Sequence, residues 1–108
     1  MTEAETDDKT ASLLAAIWLR SRPLVEERMA LLERAAVGAA AGALTEELRK
    51  EAGGVAHKLA GSLGMYGYGE GTRIARQIEV LLVGDGTPDA ARLGSLVAEL
   101  RRAVFPEA

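Results

Sequence analysis

Apolar residues recur at helical intervals along almost the whole chain, and this spacing constrains the fold more than any other feature. The clearest stripe follows the i, i+4 and i+7 positions of a single helix face, at Leu44, Leu48, Val55, Leu59 and Leu63. Comparable stripes lie before and after it. No segment alternates apolar and polar residues with the two-residue period of a strand. The chain is therefore predicted to be all-α.

Turn-forming residues divide the chain into five predicted helices, with boundaries near residues 20–23, 38–45, 64–71 and 84–89. Pro23 indicates a break after a short first helix, since proline is tolerated in a first helical turn but not in an interior. That first helix has its own apolar stripe, at Leu13, Leu14, Ile17 and Trp18. We expect Trp18 to anchor it in the core. Five helices with short connections predict an antiparallel four-helix bundle with an additional short N-terminal helix.

The length of 108 residues and the 48% hydrophobic content suit one domain with one core. We expect a disordered lead-in over residues 1–8 and a helical bundle domain over residues 9–108. Cysteine is absent from the sequence, which excludes a disulfide framework and a thiolate metal site. No apolar run approaches the ~20 residues of a membrane span, and no signal peptide is visible. These features predict a cytoplasmic protein without a membrane partner.

The net charge of −3 is unevenly distributed. Glu3, Glu5, Asp7 and Asp8 contribute −4 within the first eight residues, so residues 9–108 carry +1. A nucleic-acid-binding domain would need a strongly basic face, which this chain lacks. We therefore expect no nucleic-acid partner.

His57 is the only histidine, and it lies opposite the central apolar stripe. It is two residues from Val55 and from Leu59, which corresponds to about 200° around the helix and predicts an exposed imidazole. The positions around it on its own face carry only small residues: Gly53, Gly54, Ala60, Gly61 and Gly64. Each glycine costs a helix interior on the order of 1 kcal/mol relative to alanine. This collar indicates either close packing of another helix or access for a partner to the imidazole.

The segment from His57 to Gly67 resembles the signature of histidine-containing phosphotransfer (HPt) domains. The resemblance rests on the histidine, on an apolar residue, on three glycines and on a large residue: His57, Leu59, Gly61, Gly64, Gly67 and Tyr66. It continues on the following helix at Ile74, Ala75, Ile78 and Glu79. HPt domains are helical bundles that carry a phosphoryl group on one exposed histidine. They accept it from a histidine kinase or relay it between receiver domains.

The resemblance implies a role for each site residue. His57 would be phosphorylated on Nε2, and Glu79 would orient the imidazole by accepting from its other nitrogen. The family usually has a lysine three positions after the histidine, where this chain has Ala60. Lys58, Lys50 and Arg76 are therefore the candidates for neutralising the phosphate, and the collar would form the docking face.

The same resemblance implies a phosphoryl carrier that is not an enzyme and that needs no cofactor of its own. Its partner would be a histidine kinase, or a receiver domain that brings Mg²⁺. A dimerisation bundle would show a larger exposed apolar stripe than the sequence suggests, so we expect a monomer.

Two chemical alternatives are not supported by the sequence. Ser62 lies five positions from His57, too far around the helix to share its face in a nucleophilic pair. One histidine with scattered acids supplies no set of metal ligands, so we expect no metal site. One alternative stays open because of Ala60. The chain could be a degenerate interaction module that docks a signalling partner without transferring phosphate.

Overall fold

The computed structural model describes residues 3–84 and 86–107, with side chains from residue 8 onward. This part of the chain contains four α-helices and one 3₁₀ turn, and no strand. The helices are α1 Glu3–Ala40, α2 Glu46–Leu63, α3 Gly69–Val83 and α4 Ala90–Val104, and the turn is Gly64–Tyr66. The predicted all-α class is confirmed. None of the described helices is both long and apolar enough to cross a bilayer.

Side chains cap the first turns of two helices. The Thr45 side chain accepts a hydrogen bond from the backbone N–H of Leu48, and Asp89 does the same for Arg92, each at 3.1 Å. These bonds satisfy amides that have no partner within the helix. The start of α2 agrees with the cap that its sequence predicts, whereas α4 is capped by Asp89 and not by Thr87, which the Thr87-Pro88-Asp89 pattern favours.

The four helices pack as an antiparallel bundle in which α1 and α3 each contact both α2 and α4. The direction of α3 against α2 follows from paired contacts at opposite ends: Arg49 donates to the carbonyl of Leu82 at 2.8 Å, while Gly64 approaches Thr72. The core is built from side chains with at most 2% exposure on all four helices: Val25, Met29, Leu32, Leu59, Leu63, Ile74, Ile78, Leu93, Leu96 and Leu100. Apolar stripes on all four helices thus face one another in one core.

The predicted break at Pro23 is wrong, because α1 continues through this residue and the short N-terminal helix is its first part. An interior proline costs a helix about 3 kcal/mol. Tertiary contacts on both sides offset this cost. Before it, the Trp18 ring packs on Tyr66 and Tyr68 with centroids 5.4 and 4.9 Å apart, and after it Val25 is buried. Because Trp18 and Val25 both pack on the same bundle, the segments before and after Pro23 remain in one continuous helix.

The disordered lead-in expected over residues 1–8 also differs from the structure, which is helical from Glu3 onward. Acidic residues near a helix N-terminus interact favourably with the helix dipole, and this favours the observed start. Residues 1 and 2 lie outside the described part of the chain.

The first part of α1 projects beyond the bundle. With 38 residues α1 is about 57 Å long by its helical rise, whereas the other helices have 15 to 18 residues. Leu13, Leu14 and Ile17, three members of the apolar stripe predicted for this segment, are therefore 62%, 38% and 37% exposed. Trp18 lies at the boundary and is half-buried.

A cluster of ion pairs joins α4 to α1. Arg101 donates to Glu33 at 2.7 Å and to Glu26 at 2.6 Å. The hydrogen bond from Arg101 holds the pKa of Glu26 below its ordinary value, and the bonds to Glu33 and Glu26 raise the pKa of Arg101. The stabilisation from Glu26 is present at neutral pH and is lost as the pH falls through its lowered pKa. Because Glu26 is half-exposed, we expect this contribution to be small.

Candidate functional site

His57 lies on the exposed face of α2 with its imidazole 74% accessible to solvent. Its Nδ1 is 2.8 Å from Oε2 of Glu79, which is on α3 and is 26% exposed. An ionised carboxylate can only accept, so Nδ1 carries the proton in a neutral ring. Nε2 then keeps its lone pair, and it makes no hydrogen bond with any residue in 8–84 or 86–107. The arrangement presents an unprotonated ring nitrogen to solvent.

The packing of α3 on α2 places Glu79 beside the imidazole. Ile78 is fully buried between the helices, and Glu79 follows it at the edge of the buried stripe. On α2, Ala56 and Ala60 have 0% and 6% exposure, and their short side chains let α3 approach closely. The small side chains of Ala56 and Ala60 let α3 pack close to α2, and the carboxylate of Glu79 therefore reaches the imidazole of His57.

The collar of small residues around His57 divides into two sides. Gly54 and Gly61 are exposed, and a Cβ atom added to either would meet nothing within 4 Å. Gly53 and Ala60 are buried, so these two predicted members of the docking face do not belong to the accessible surface. They lie about 40–60° to the side of His57 that α3 covers, while Gly54 and Gly61 lie about 40–60° to the other side.

Gly64 completes the collar at the end of α2. It is exposed, and a Cβ atom at this position would lie 3.3 Å from Oγ1 of Thr72. It therefore combines an accessible surface with a close approach to α3. The small residues of the collar therefore allow close helix packing on one side of His57 and leave an open, exposed surface on the other side.

The division of the collar predicts opposite stability effects at two adjacent glycines. Gly53→Leu should lower the free energy of unfolding by about 1 kcal/mol or more, because the overpacking of a buried site costs about 1–3 kcal/mol and exceeds the gain in helix propensity. A Cβ atom there would already lie 3.2 Å from Cγ1 of Val83. Gly54→Leu is the matched control and should raise this free energy by up to about 1 kcal/mol. Urea denaturation measures both, and equal stabilities would contradict the division.

The candidate cations are placed unequally. Arg76 lines a shallow depression with His57, Ala60, Gly61, Glu79 and Val80. Its side chain forms no ion pair with any residue in the described ranges, so Glu79 pairs with His57 and not with Arg76. Lys58 is exposed next to His57 in the chain. Lys50 lines a different depression, near the end of α3. Arg76 and His57 thus line the same depression, whereas Lys50 lines a different one.

Sequence reasoning missed Val80, which lines the depression and is 68% exposed. The signal for it was available, because Val80 follows Glu79 and falls outside the buried stripe of α3. Val80 thus adds exposed apolar surface to the α3 side of the depression. Among the described residues, no group of three histidine, aspartate or glutamate side chains is placed to hold a metal ion.

Comparisons with known proteins identify a family that this chain resembles. The model of the family described as "Hpt domain" matches residues 22–104. The chain is also 32% identical over 81 residues to Protein RcaC of Microchaete diplosiphon, a match that covers 75% of this chain. It spans 12% of the length of RcaC, so the relative is a much longer protein. No solved structure matches the chain.

Proposed function

Because this chain belongs to the Hpt domain family, we propose that it carries a phosphoryl group on His57 within a multistep phosphorelay. Hpt domains are phosphoryl carriers of two-component signalling and not catalysts. One observation carries the assignment of the site: His57 is exposed, its Nδ1 is bonded to Glu79, and its Nε2 is available. We propose a receiver domain or a histidine kinase as the partner and the cytoplasm as the location.

The transfer we propose begins with Nε2 of the neutral imidazole. Its lone pair attacks the phosphorus of a phosphorylated aspartate on the receiver. The N–P bond forms as the P–O bond to the aspartate breaks, and the aspartate leaves as a carboxylate. The ring keeps its proton on Nδ1 and becomes positively charged. The carboxylate of Glu79, 2.8 Å from Nδ1, stabilises that charge and fixes the orientation of the ring.

Positioning and charge stabilisation dominate phosphoryl transfer, so the chain needs few groups of its own. Gly54 and Gly61 leave room for the receiver to approach Nε2. Arg76 would neutralise the phosphoryl oxygens from the α3 side of the depression. We expect the receiver to supply Mg²⁺ and the acidic pocket, with no cofactor bound to this chain.

A degenerate interaction module is the second candidate function, and Ala60 is the observation that favours it. Ala60 is only 6% exposed and faces α3, so the position of the family's usual lysine presents no cation here. Such a module would bind the receiver but would not accept phosphate. Incubation of the chain with phosphorylated receiver domains separates the two functions, because only the carrier becomes labelled.

We expect Glu79 to affect the rate of phosphoryl transfer to His57, and transfer should still occur without it. Glu79→Ala should slow phosphorylation of His57 about tenfold, because the ring loses both its orientation and its tautomer preference. Glu79→Gln should keep most of the rate, since the amide oxygen can still accept from Nδ1. Transfer rates measured together with ¹⁵N NMR of the His57 ring test this. An unchanged rate and an unchanged tautomer in Glu79→Ala would remove Glu79 from the site.

The three candidate cations should differ in their effects. Lys58 is exposed and should contribute by screening, which is worth about 0–1 kcal/mol, so Lys58→Ala should slow transfer by no more than about fivefold. Arg76→Ala should slow it more, because Arg76 shares the depression with His57. Lys50→Ala is the control and should have no effect. A loss of about a hundredfold in Lys58→Ala would instead identify Lys58 as a direct phosphate ligand.

A further inference from the structure

A groove between α3 and α4 lies on the other side of α3 from His57. The phosphoryl transfer proposed for His57 makes no use of it. The described residues that line the groove are Arg76, Gln77, Val80, Leu81, Arg92 and Leu96. Its apolar residues range from Leu96, which is 2% exposed, through the half-buried Leu81 to Val80, which is 68% exposed. The groove is therefore an apolar surface that a partner can reach.

Three consecutive residues of α3 connect this groove with the candidate site. Glu79 bonds to His57 on the α2 side of the helix. Leu81 lines the groove on the α4 side, and Val80 lines both depressions. Successive residues lie about 100° apart around a helix, so Val80 occupies the ridge between the two. The apolar surface therefore continues from the depression at His57 over α3 into the groove.

The charge of the groove is positive. Arg76 and Arg92 are exposed beside it, and neither forms an ion pair with any residue in the described ranges. Arg73 of the same α3 helix, by contrast, is neutralised by Glu70. None of the described residues that line the groove is acidic. An apolar surface flanked by unpaired arginines is complementary to a partner segment that combines an apolar side chain with a carboxylate.

Arg92 is held in place for such a contact. Its Nη2 donates to Oε1 of Gln77 at 3.1 Å, a bond that joins α4 to α3 across the groove. A guanidinium has several N–H donors, so the others stay available for a carboxylate, which they can bind in a bidentate manner. Arg76 is the cation that we assign to the phosphoryl group. Arg92 is therefore the cation left for a partner segment.

We propose that the groove binds an acidic segment of the same receiver domain that docks at His57. An apolar side chain of this segment lies on Val80 and Leu81, and its carboxylate pairs with Arg92. One partner serves both places because Val80 is shared between them, and because a stable interface buries about 800 Å² on each partner, more than one depression offers. The inference rests on the proposed function, which makes a receiver the partner. The groove contributes affinity and specificity and takes no part in the chemistry.

Receiver binding to a charge-reversed groove tests this proposal. The probe is the member of a panel of receiver domains that binds the unphosphorylated chain most tightly by isothermal titration calorimetry. Arg92→Glu should raise its dissociation constant at least about tenfold, because an attraction to the carboxylate of the segment becomes a repulsion. Arg92 is three residues after the cap Asp89, where an acidic side chain is favourable, so the fold should not change.

Arg102→Glu is the matched control, because it changes the charge of the same helix by the same amount. Arg102 is exposed and lies outside the groove. Its substitution acts only through the screened net charge and should change the dissociation constant by less than about twofold. Equal effects of the two variants, no effect of Arg92→Glu, or no binding by any receiver of the panel would overturn the proposal.

Methyl NMR locates the contact. Leu81 and Leu96 line the groove and not the depression at His57, so their methyl signals should shift when the receiver is added. Val37 is the control, since it is 69% exposed on α1 and lies outside the groove, and its signals should stay unchanged. Shifts confined to Val80, which both depressions share, would place the receiver at His57 alone and would overturn the proposal.

Labelling by phosphoramidate keeps this proposal separate from the proposed function. This small donor needs no docking surface, so it should label Arg92→Glu as fast as the wild type. Normal labelling together with an unchanged receiver affinity in Arg92→Glu would overturn the groove as a docking site and leave the phosphoryl carrier intact. A wild-type chain that no donor labels, but whose receiver affinity falls in Arg92→Glu, would support the groove and contradict the carrier.

Discussion

Replacing His57 with glutamine should abolish phosphorylation of the chain by any receiver or kinase. Glutamine is similar in length and can hydrogen-bond to Glu79, but its amide has no nucleophilic lone pair to attack phosphorus. The side chain at this position is 74% exposed, so the fold should not change. Label incorporation and far-UV circular dichroism measure the two expectations. The phosphate on the wild-type chain should be labile in acid and stable in alkali, as expected for an N–P bond.

Lys58→Gln provides the matched control for this prediction, because Lys58 is the exposed neighbour of His57 on the same helix. That variant should keep its label. Undiminished labelling of His57→Gln would show that another residue accepts the phosphoryl group. The assignment of the site would then be wrong.

Gly61→Leu should slow transfer from a receiver about a hundredfold. Gly61 is exposed beside His57, and a leucine there would occupy the space that a partner needs to reach Nε2. A Cβ atom at this position meets nothing within 4 Å, so the helix should gain up to about 1 kcal/mol of stability from the loss of glycine. Gly94→Leu offers the same gain on α4, where a Cβ atom also meets nothing within 4 Å. It should leave transfer unchanged.

A small phosphoryl donor separates docking from chemistry in this variant. Phosphoramidate needs no protein surface, so it should label Gly61→Leu nearly as fast as the wild type. If Gly61→Leu unfolds the domain, close helix packing explains the glycine and the docking interpretation fails. Transfer from a receiver to Gly61→Leu at the wild-type rate would also contradict the docking interpretation.

Local features of the fold were predictable from the sequence, and features set by tertiary contacts were not. The start of α2 follows from Thr45, whose side chain bonds to the amide three residues away. The start of α4 does not, because the Thr87-Pro88-Asp89 pattern predicts a cap at Thr87 and the observed cap is Asp89. Pro23 was misleading, because its local preference for a break is overridden by the packing of Trp18 and Val25 on the bundle. No pattern within α1 reveals those contacts, since they depend on residues 45 or more positions away.

The candidate site was also only partly predictable from the sequence. The exposure of His57 follows from its angle to the apolar stripe of its own helix. The two sides of the collar could not be told apart, because a single helix does not show where its neighbour packs. From the residues alone Glu79 could pair with Arg76, one turn away on the same helix, and only the resemblance to HPt domains favoured His57. In the structure the side chain of Glu79 is bonded to His57.

The position of the phosphoryl group on the ring tests the proposed function most directly. The chain, labelled with ¹⁵N in its one histidine, would be incubated with a panel of phosphorylated receiver domains and examined by ³¹P and ¹⁵N NMR. An established phosphotransfer domain treated in parallel would verify the donors. We predict a phosphorus atom bonded to Nε2 of His57 and a proton on Nδ1. Phosphorus on Nδ1, phosphorus on another residue, or no phosphorylation while the control is labelled would contradict this account.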